Sequence, residues 1–288
     1  MRILKALMGL PIVLFVLFFS GSHLTSCTKT SQDTVTVTKT IMDTTIVRDT
    51  TVLTDTVYDI TSGLVAYYNF DGGNLNDSSG YGNNITFNNA TSTTDRFGRA
   101  NNAYLFNGSN IYMSVPSSSS LTQLTTTTFM AIININAFYT GRCLANQIFG
   151  KGASDSESGF YSLRFSDFAT GCSLNPPNPA TEYFNSGYGS VTDLAGGVID
   201  DAAPVQLGQW YTIVFTYDGD TSRFYVNGQL QQANPSIQTL GSNTDPLYIG
   251  MDETPSTSYN FNGVIDEIRI YNRALDAKEV AQLSKVQE

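Results

Sequence analysis

The chain has 288 residues, 41% of them hydrophobic, with 15 lysines and arginines against 25 acids and a formal net charge of −10. That length and apolar content allow one large buried core, while the acidic balance excludes nucleic acid and anionic membrane surfaces as charge-driven partners. The single histidine, His23, lies in the apolar leader, so a chain that has shed its leader has no imidazole base and no histidine ligand for zinc.

Residues 1–26 open with Arg2 and Lys5, run apolar from 6 to 19 and finish in small residues. This is the pattern of a secretory signal peptide, with an apolar run shorter than the roughly 20 residues a spanning helix needs. The stretch Leu24-Thr25-Ser26-Cys27 resembles the lipobox of bacterial lipoproteins. The resemblance implies cleavage before Cys27, a lipid on that cysteine, and attachment to the cell envelope, at the surface of a bacterial outer membrane. An uncleaved anchor or ordinary cleavage nearby is the alternative. Loss of the leader removes two bases and no acid, leaving 13 bases against 25 acids and a charge of about −12.

Residues 27–61 are rich in Thr, Val and Asp, with Asp-Thr-Val at 33 and 55 and Asp-Thr-Thr at 43 and 49. Strand propensity is high, but glycine turns and aromatic mass are missing, so the segment reads as an extended stalk. Its triplets resemble the acceptor sites of Bacteroidetes O-glycosylation; plain low complexity is the other reading.

Residues 62–285 form the expected folded domain. Strands are predicted at 64–70, 103–108, 111–116, 127–136, 160–166, 210–219, 246–251 and 263–271, each a β-branched or aromatic run bounded by Gly, Asn, Ser or Pro. Asn227-Gly228 between two such arms is a hairpin signal. Only 276–285 has helical spacing, through Ala277, Val280, Ala281 and Ser284. In the last strand, alternation places Val264, Asp266, Ile268 and Ile270 on one face and Ile265, Glu267, Arg269 and Tyr271 on the other. A carboxylate in that apolar stripe requires a partner or a place at the end of the core.

The stretch 139–204 is long and rich in Gly, Asn and Pro, and reads as an insertion. Its Tyr139, Tyr183, Phe184 and Tyr188 sit among small polar residues and are the candidate ligand-binding aromatics, or else the cover of a satellite core. Cys143 and Cys172, the two cysteines left outside the cytoplasm, are expected to form a disulfide. Asp155 and Glu157 read as solvated loop, and Trp210, heading an apolar strand, as a packing residue rather than a sugar platform.

Three blocks carry a wider resemblance. Residues 63–86 (GLVAYYNFDGGNLNDSSGYGNNIT), 210–230 (WYTIVFTYDGDTSRFYVNGQL) and 261–280 (FNGVIDEIRIYNRALDAKEV) are similar, in order, to LamG-like jelly rolls of the concanavalin A-like lectin/glucanase superfamily. The resemblance implies an all-β, two-sheet antiparallel jelly-roll sandwich with a short C-terminal helix. It also implies a structural calcium ion, held by Asp71, Asp77, Asn83 and Asp266 with loop carbonyls; a metal-free loop whose backbone amides bind Asp266 is the alternative. Catalysis is not expected, because the Glu-x-Asp-x-x-Glu strand of the superfamily's glycanases is missing and the neighbours Asp266 and Glu267 point to opposite faces. The expected partner is a glycan, with other envelope proteins as further partners and the membrane met only through the lipid. The rival is a protein-binding adhesion or scaffold module, and a glycoside hydrolase comes third.

Overall fold

The computed structural model describes residues 33–37, 53–122, 124–140, 145–152, 159–166, 183–189, 198–199, 205–235, 242–252 and 259–285. Residues 1–26, Cys27, Cys143, Cys172, Asp155 and Glu157 lie outside the described residues. Within residues 27–61, β1 (Asp33–Val37) and β2 (Leu53–Val57) pair antiparallel with each other, Asp33 opposite Val57, as a ribbon separate from the two larger sheets.

The remaining strands are β3 (Leu64–Tyr68), β4 (Phe87–Asn88), β5 (Thr91–Thr93), β6 (Ala103–Asn107), β7 (Met113–Val115), β8 (Thr127–Ile135), β9 (Asn146–Lys151) and β10 (Phe160–Ser166). They continue with β11 (Tyr183–Gly189), β12 (Val198–Ile199), β13 (Trp210–Tyr217), β14 (Thr221–Val226), β15 (Gln229–Pro235), β16 (Leu247–Ile249) and β17 (Asn262–Tyr271). Two short helices, α1 (Ser119–Thr122) and α2 (Ala277–Leu283), complete the described elements together with a 3-10 turn at Asp71–Gly73. One sheet has seven strands in the order β12-β11-β10-β9-β16-β7-β4. The other has eight, β15-β14-β13-β8-β17-β6-β5, with β3 also paired to β17. The larger pairings are antiparallel throughout, and the protein is a two-sheet jelly-roll sandwich.

Alternation builds the layers. Phe129, Ala131, Ile133 and Ile135 of β8 and Ile213, Phe215 and Tyr217 of β13 face Met113, Val115, Leu247, Ile249, Tyr161, Leu163 and Phe165 of the other sheet in one core. The opposite face of the eight-stranded sheet carries a second cluster of Leu64, Met130, Ile132, Val214, Tyr225 and Tyr271, covered by Leu275, Val280 and Leu283 of the α2 region. Trp210 packs partly buried on this second cluster. It is a packing residue as expected, on this cluster rather than between the sheets. The helix starts with a capping box: Asp276 accepts from the N–H groups of Lys278 and Glu279, and Glu279 accepts from that of Asp276.

Two expectations are corrected. Among its described residues the segment 139–204 is not a loop-like insertion but supplies β9, β10, β11 and β12 of the seven-stranded sheet. Simple alternation along β17 also fails. Ile265 pairs with Ile133 and Glu267 with Ile132, so Asp266 is the extra residue of a β-bulge. The bulge flips the phase, and Ile265 joins Ile268 and Ile270 in the inter-sheet core. The turn Asn227-Gly228 has φ of 51° and 77° and closes the β14–β15 hairpin as its sequence requires.

Candidate functional site

The bulge explains the buried carboxylate. At this point of β17 the neighbour on one side changes: β6 pairs with residues 262–265 and β3 with residues 268–271. Asp266 and Glu267 sit in the gap, 3% and 2% exposed, and Arg96 from the loop after β5 reaches them. Arg96 Nη1 donates to Asp266 Oδ2 at 2.9 Å and lies 3.8 Å from Glu267 Oε2, and the Arg96 amide adds a 3.3 Å bond to the same Asp266 oxygen. Glu267 also pairs with Arg269, which stacks 4.2 Å over the Tyr67 ring and donates to its hydroxyl at 3.0 Å. Burial, with Glu267 and Asp95 adding like charge, outweighs Arg96 and pushes the Asp266 carboxyl up to about 6.

The loop itself is braced by Asp95, which accepts from the amides of Phe97 and Arg99 at 2.8 Å each and from Arg99 Nε at 2.6 Å. Its burial is outweighed by these bonds and by the arginine charge, leaving the carboxyl below its usual range. Phe97, flanked by Arg96 at 4.5 Å and Arg99 at 5.2 Å, stays partly exposed.

Three of the four expected calcium ligands are engaged by the protein's own groups. Asp77 accepts from the amides of Tyr67, Ser79 and Asn83, each at 2.9 Å, and from the Ser79 hydroxyl at 2.8 Å. Both its oxygens are therefore used in shaping the Asp-Ser-Ser-Gly turn. Asn83 donates to the Val65 carbonyl at 2.7 Å and to Ser120 at 2.9 Å, and accepts from Ser118 at 2.6 Å. Asp266 is held by Arg96, on a different loop from the one foreseen. Asp71 differs: Oδ2 accepts from Asn69 at 3.2 Å, while Oδ1 and the neighbouring Asn69 Oδ1 are buried without a hydrogen-bond partner. Among the described residues no three His, Cys, Asp or Glu side chains are arranged to hold a metal ion.

Three of the four ligand-binding candidates lie on a strand, and the fourth in the loop after β8. Tyr183, Phe184 and Tyr188 lie on β11, in register with Ser166, Phe165 and Tyr161; Phe165 and Tyr161 are members of the inter-sheet core. Tyr139 packs, partly buried, against Ala145 and Tyr259 in a small satellite cluster.

A different set of aromatics occupies the outer face of the seven-stranded sheet. Met113, Val115, Leu247 and Ile249 face inward, so Ser114 and Tyr248, opposite each other in register, face outward beside Phe87 of the edge strand β4. Phe87 stacks on Tyr112 with ring centroids 4.6 Å apart, and Tyr112 meets Tyr248 at 5.9 Å. Phe87 is 42% exposed, and Asn89 accepts from the Tyr112 amide and donates to the Asn110 carbonyl beside it. This arrangement leaves an apolar ring open at a sheet edge among amides and a hydroxyl, suited to stacking on the flat apolar face of a polyol ring. The signal was present in the sequence: in Leu247-Tyr248-Ile249, two inward aliphatics force the tyrosine outward.

Comparison with known proteins agrees with this architecture. No curated protein sequence matches the chain. Domain 4 of AbnA, a GH43 extracellular arabinanase from Geobacillus stearothermophilus, solved in complex with arabinotriose, is similar at 19% identity and a TM-score of 0.52, over 77% of this chain and 98% of that one. The receptor binding domain of botulinum neurotoxin D is similar at 14% identity and a TM-score of 0.59, over 79% of this chain and 53% of its own. The binding domain of Paraclostridial Mosquitocidal Protein 1 is similar at 14% identity and a TM-score of 0.58, over 78% and 52%. The chain thus spans about half of each toxin domain, and at these identities the likeness establishes the fold. A family profile described as concanavalin A-like lectin/glucanases superfamily matches residues 107–281, and to that superfamily the chain belongs.

Proposed function

We propose that the domain is a non-catalytic carbohydrate-binding module of a lipid-anchored cell-envelope protein. The observation that carries this reading is the exposed Phe87 ring, backed by Tyr112 and Tyr248 on the outer face of the seven-stranded sheet. The arabinanase domain similar to it along nearly that domain's whole length was solved with arabinotriose, which supports a short oligosaccharide as first probe. Hydrolysis of a glycoside needs two carboxyl groups facing a cleft roughly 5–9.5 Å apart. Asp266 and Glu267 are instead buried neighbours, each engaged by arginine.

Within the same reading, calcium is proposed to bind at Asp71, whose Oδ1, like Asn69 Oδ1, is buried without a hydrogen-bond partner, with carbonyl oxygens completing the shell. A site with one carboxylate belongs at the weak end of the calcium range, about 10⁻⁴ to 10⁻³ M. The leader and Leu24-Thr25-Ser26-Cys27 support the lipid anchor and the outer-membrane location.

The test is calorimetric titration of the protein with arabinotriose and a panel of other oligosaccharides, followed by Phe87→Ala. The substitution should weaken the best ligand by about 1–3 kcal/mol, as loss of an aromatic anchor does, and leave the melting temperature nearly unchanged because the ring is exposed. Undiminished binding by the variant would place the site elsewhere. No glycan binding across the panel, with capture of an envelope protein instead, would favour the adhesion module.

A further inference from the structure

The residues just before β3 are built into the back of the domain. The Tyr58 amide donates to Gln282 Oε1 at 2.6 Å, and Gln282 Nε2 donates to the Tyr58 carbonyl at 2.8 Å. One side-chain amide thus satisfies both backbone groups, as a neighbouring strand would. The Tyr271 hydroxyl donates to the Ile60 carbonyl at 2.9 Å. Arg273 donates to the carbonyls of Asp59 at 3.0 Å and Ser62 at 2.7 Å, and is itself held by Glu279 at 2.9 Å. The Ile60 side chain packs on the cluster containing Leu275, Val280 and Leu283.

These contacts join two pieces that are weak alone. A seven-residue helix does not persist in water without packing, and a five-residue segment has no fold of its own. Here the segment caps the cluster that α2 covers, and Gln282 of α2 holds the segment. The assembly lies on the outer face of the eight-stranded sheet, whereas Phe87, Tyr112 and Tyr248 lie on the outer face of the seven-stranded sheet.

We propose that residues 58–62 are a docked clasp that fixes where the N-terminal segment leaves the domain, on the face opposite the aromatic row. Whatever holds the N-terminal end then leaves the ligand face open. The clasp stands on its own contacts; the open ligand face rests on the binding reading above.

Hydrogen exchange tests the clasp without any ligand. In the full chain the Tyr58 amide should be protected, and Gln282→Ala should speed its exchange about tenfold or more, as expected when its acceptor is lost, while amides of β8 and β13 stay unchanged. Gln282→Glu, which keeps an acceptor for the amide but loses the donor to the carbonyl, should fall between. An unprotected Tyr58 amide in the native chain, or equal exchange in all three proteins, overturns the clasp. For the second half, protein held on a surface through an N-terminal biotin should bind oligosaccharide as tightly as free protein. Loss of binding on attachment overturns the open face. Absence of binding in both states overturns the binding reading, and with it the open face, but leaves the exchange result standing.

Discussion

Replacing Asp266 by asparagine should stabilise the protein at neutral pH. The side chain is 5% exposed, and asparagine has nearly its shape and keeps an oxygen to accept from Arg96. In the folded protein the carboxyl holds its proton up to about pH 6, against 3.8 for the unperturbed group. Because the folded value is raised, ionisation penalises the folded state: the penalty is full well above pH 6 and fades as pH falls through 6 toward 3.8. That difference corresponds to about 3 kcal/mol at pH 7 and relief of about 1 kcal/mol between pH 7 and pH 5. Asparagine cannot recover all of it, since Arg96 then loses the charge of the carboxylate it meets at 2.9 Å. A net gain of about 1 kcal/mol remains, a rise in melting temperature of roughly 2–4 °C for a domain of this size. Thermal melts of both proteins from pH 4 to pH 8 check this, because their difference isolates one group from the other titrating carboxylates. The asparagine variant should melt higher at pH 7, with the gap closing as pH falls. A variant that melts lower at pH 7, with the gap closing on acidification, would show that the Arg96–Asp266 ion pair is net favourable and that burial does not govern this corner.

Gly250→Ala should cost about 3 kcal/mol or more, because the residue has a φ of +89° and its new Cβ would overlap the buried Phe106 ring; a melting temperature within 2 °C of the parent, roughly the noise of a conservative surface change, would refute that packing. Removing calcium with a chelator should lower the melting temperature of the parent and leave Asp71→Ala unaffected; identical curves for the parent in chelator and in millimolar-range calcium would eliminate the metal reading. Cys27→Ala should abolish labelling by a fatty-acid analogue and release the protein from membranes, whereas retention of the variant would point to an uncleaved apolar leader.

Local chemistry made much of the fold legible. The strand at Phe160–Ser166, the Asn227-Gly228 hairpin and the Asp276 cap depend on neighbours within a few residues, and each lies where its own sequence puts it. The all-β class and the lack of imidazole beyond residue 23 were likewise written in periodicity and composition. What the sequence left hidden depends on distant partners. β9 carries a glycine against which the side chain of Gln147 packs, and β11 carries three small or flexible residues in seven, so neither shows alternation until a paired strand imposes it. Asp266 is hidden for the same reason. Its phase, partner and ionisation follow from a bulge opposite β8, from the hand-over of β6 to β3, and from an arginine 170 positions away. The aromatic row behind the exposed Phe87 also required assembly, since Phe87, Tyr112 and Tyr248 come from three separate strands or their margins and meet only when β4, β7 and β16 lie side by side. A two-residue period says which side chains leave the same face of one strand; only the long-range register says which strands bring them together.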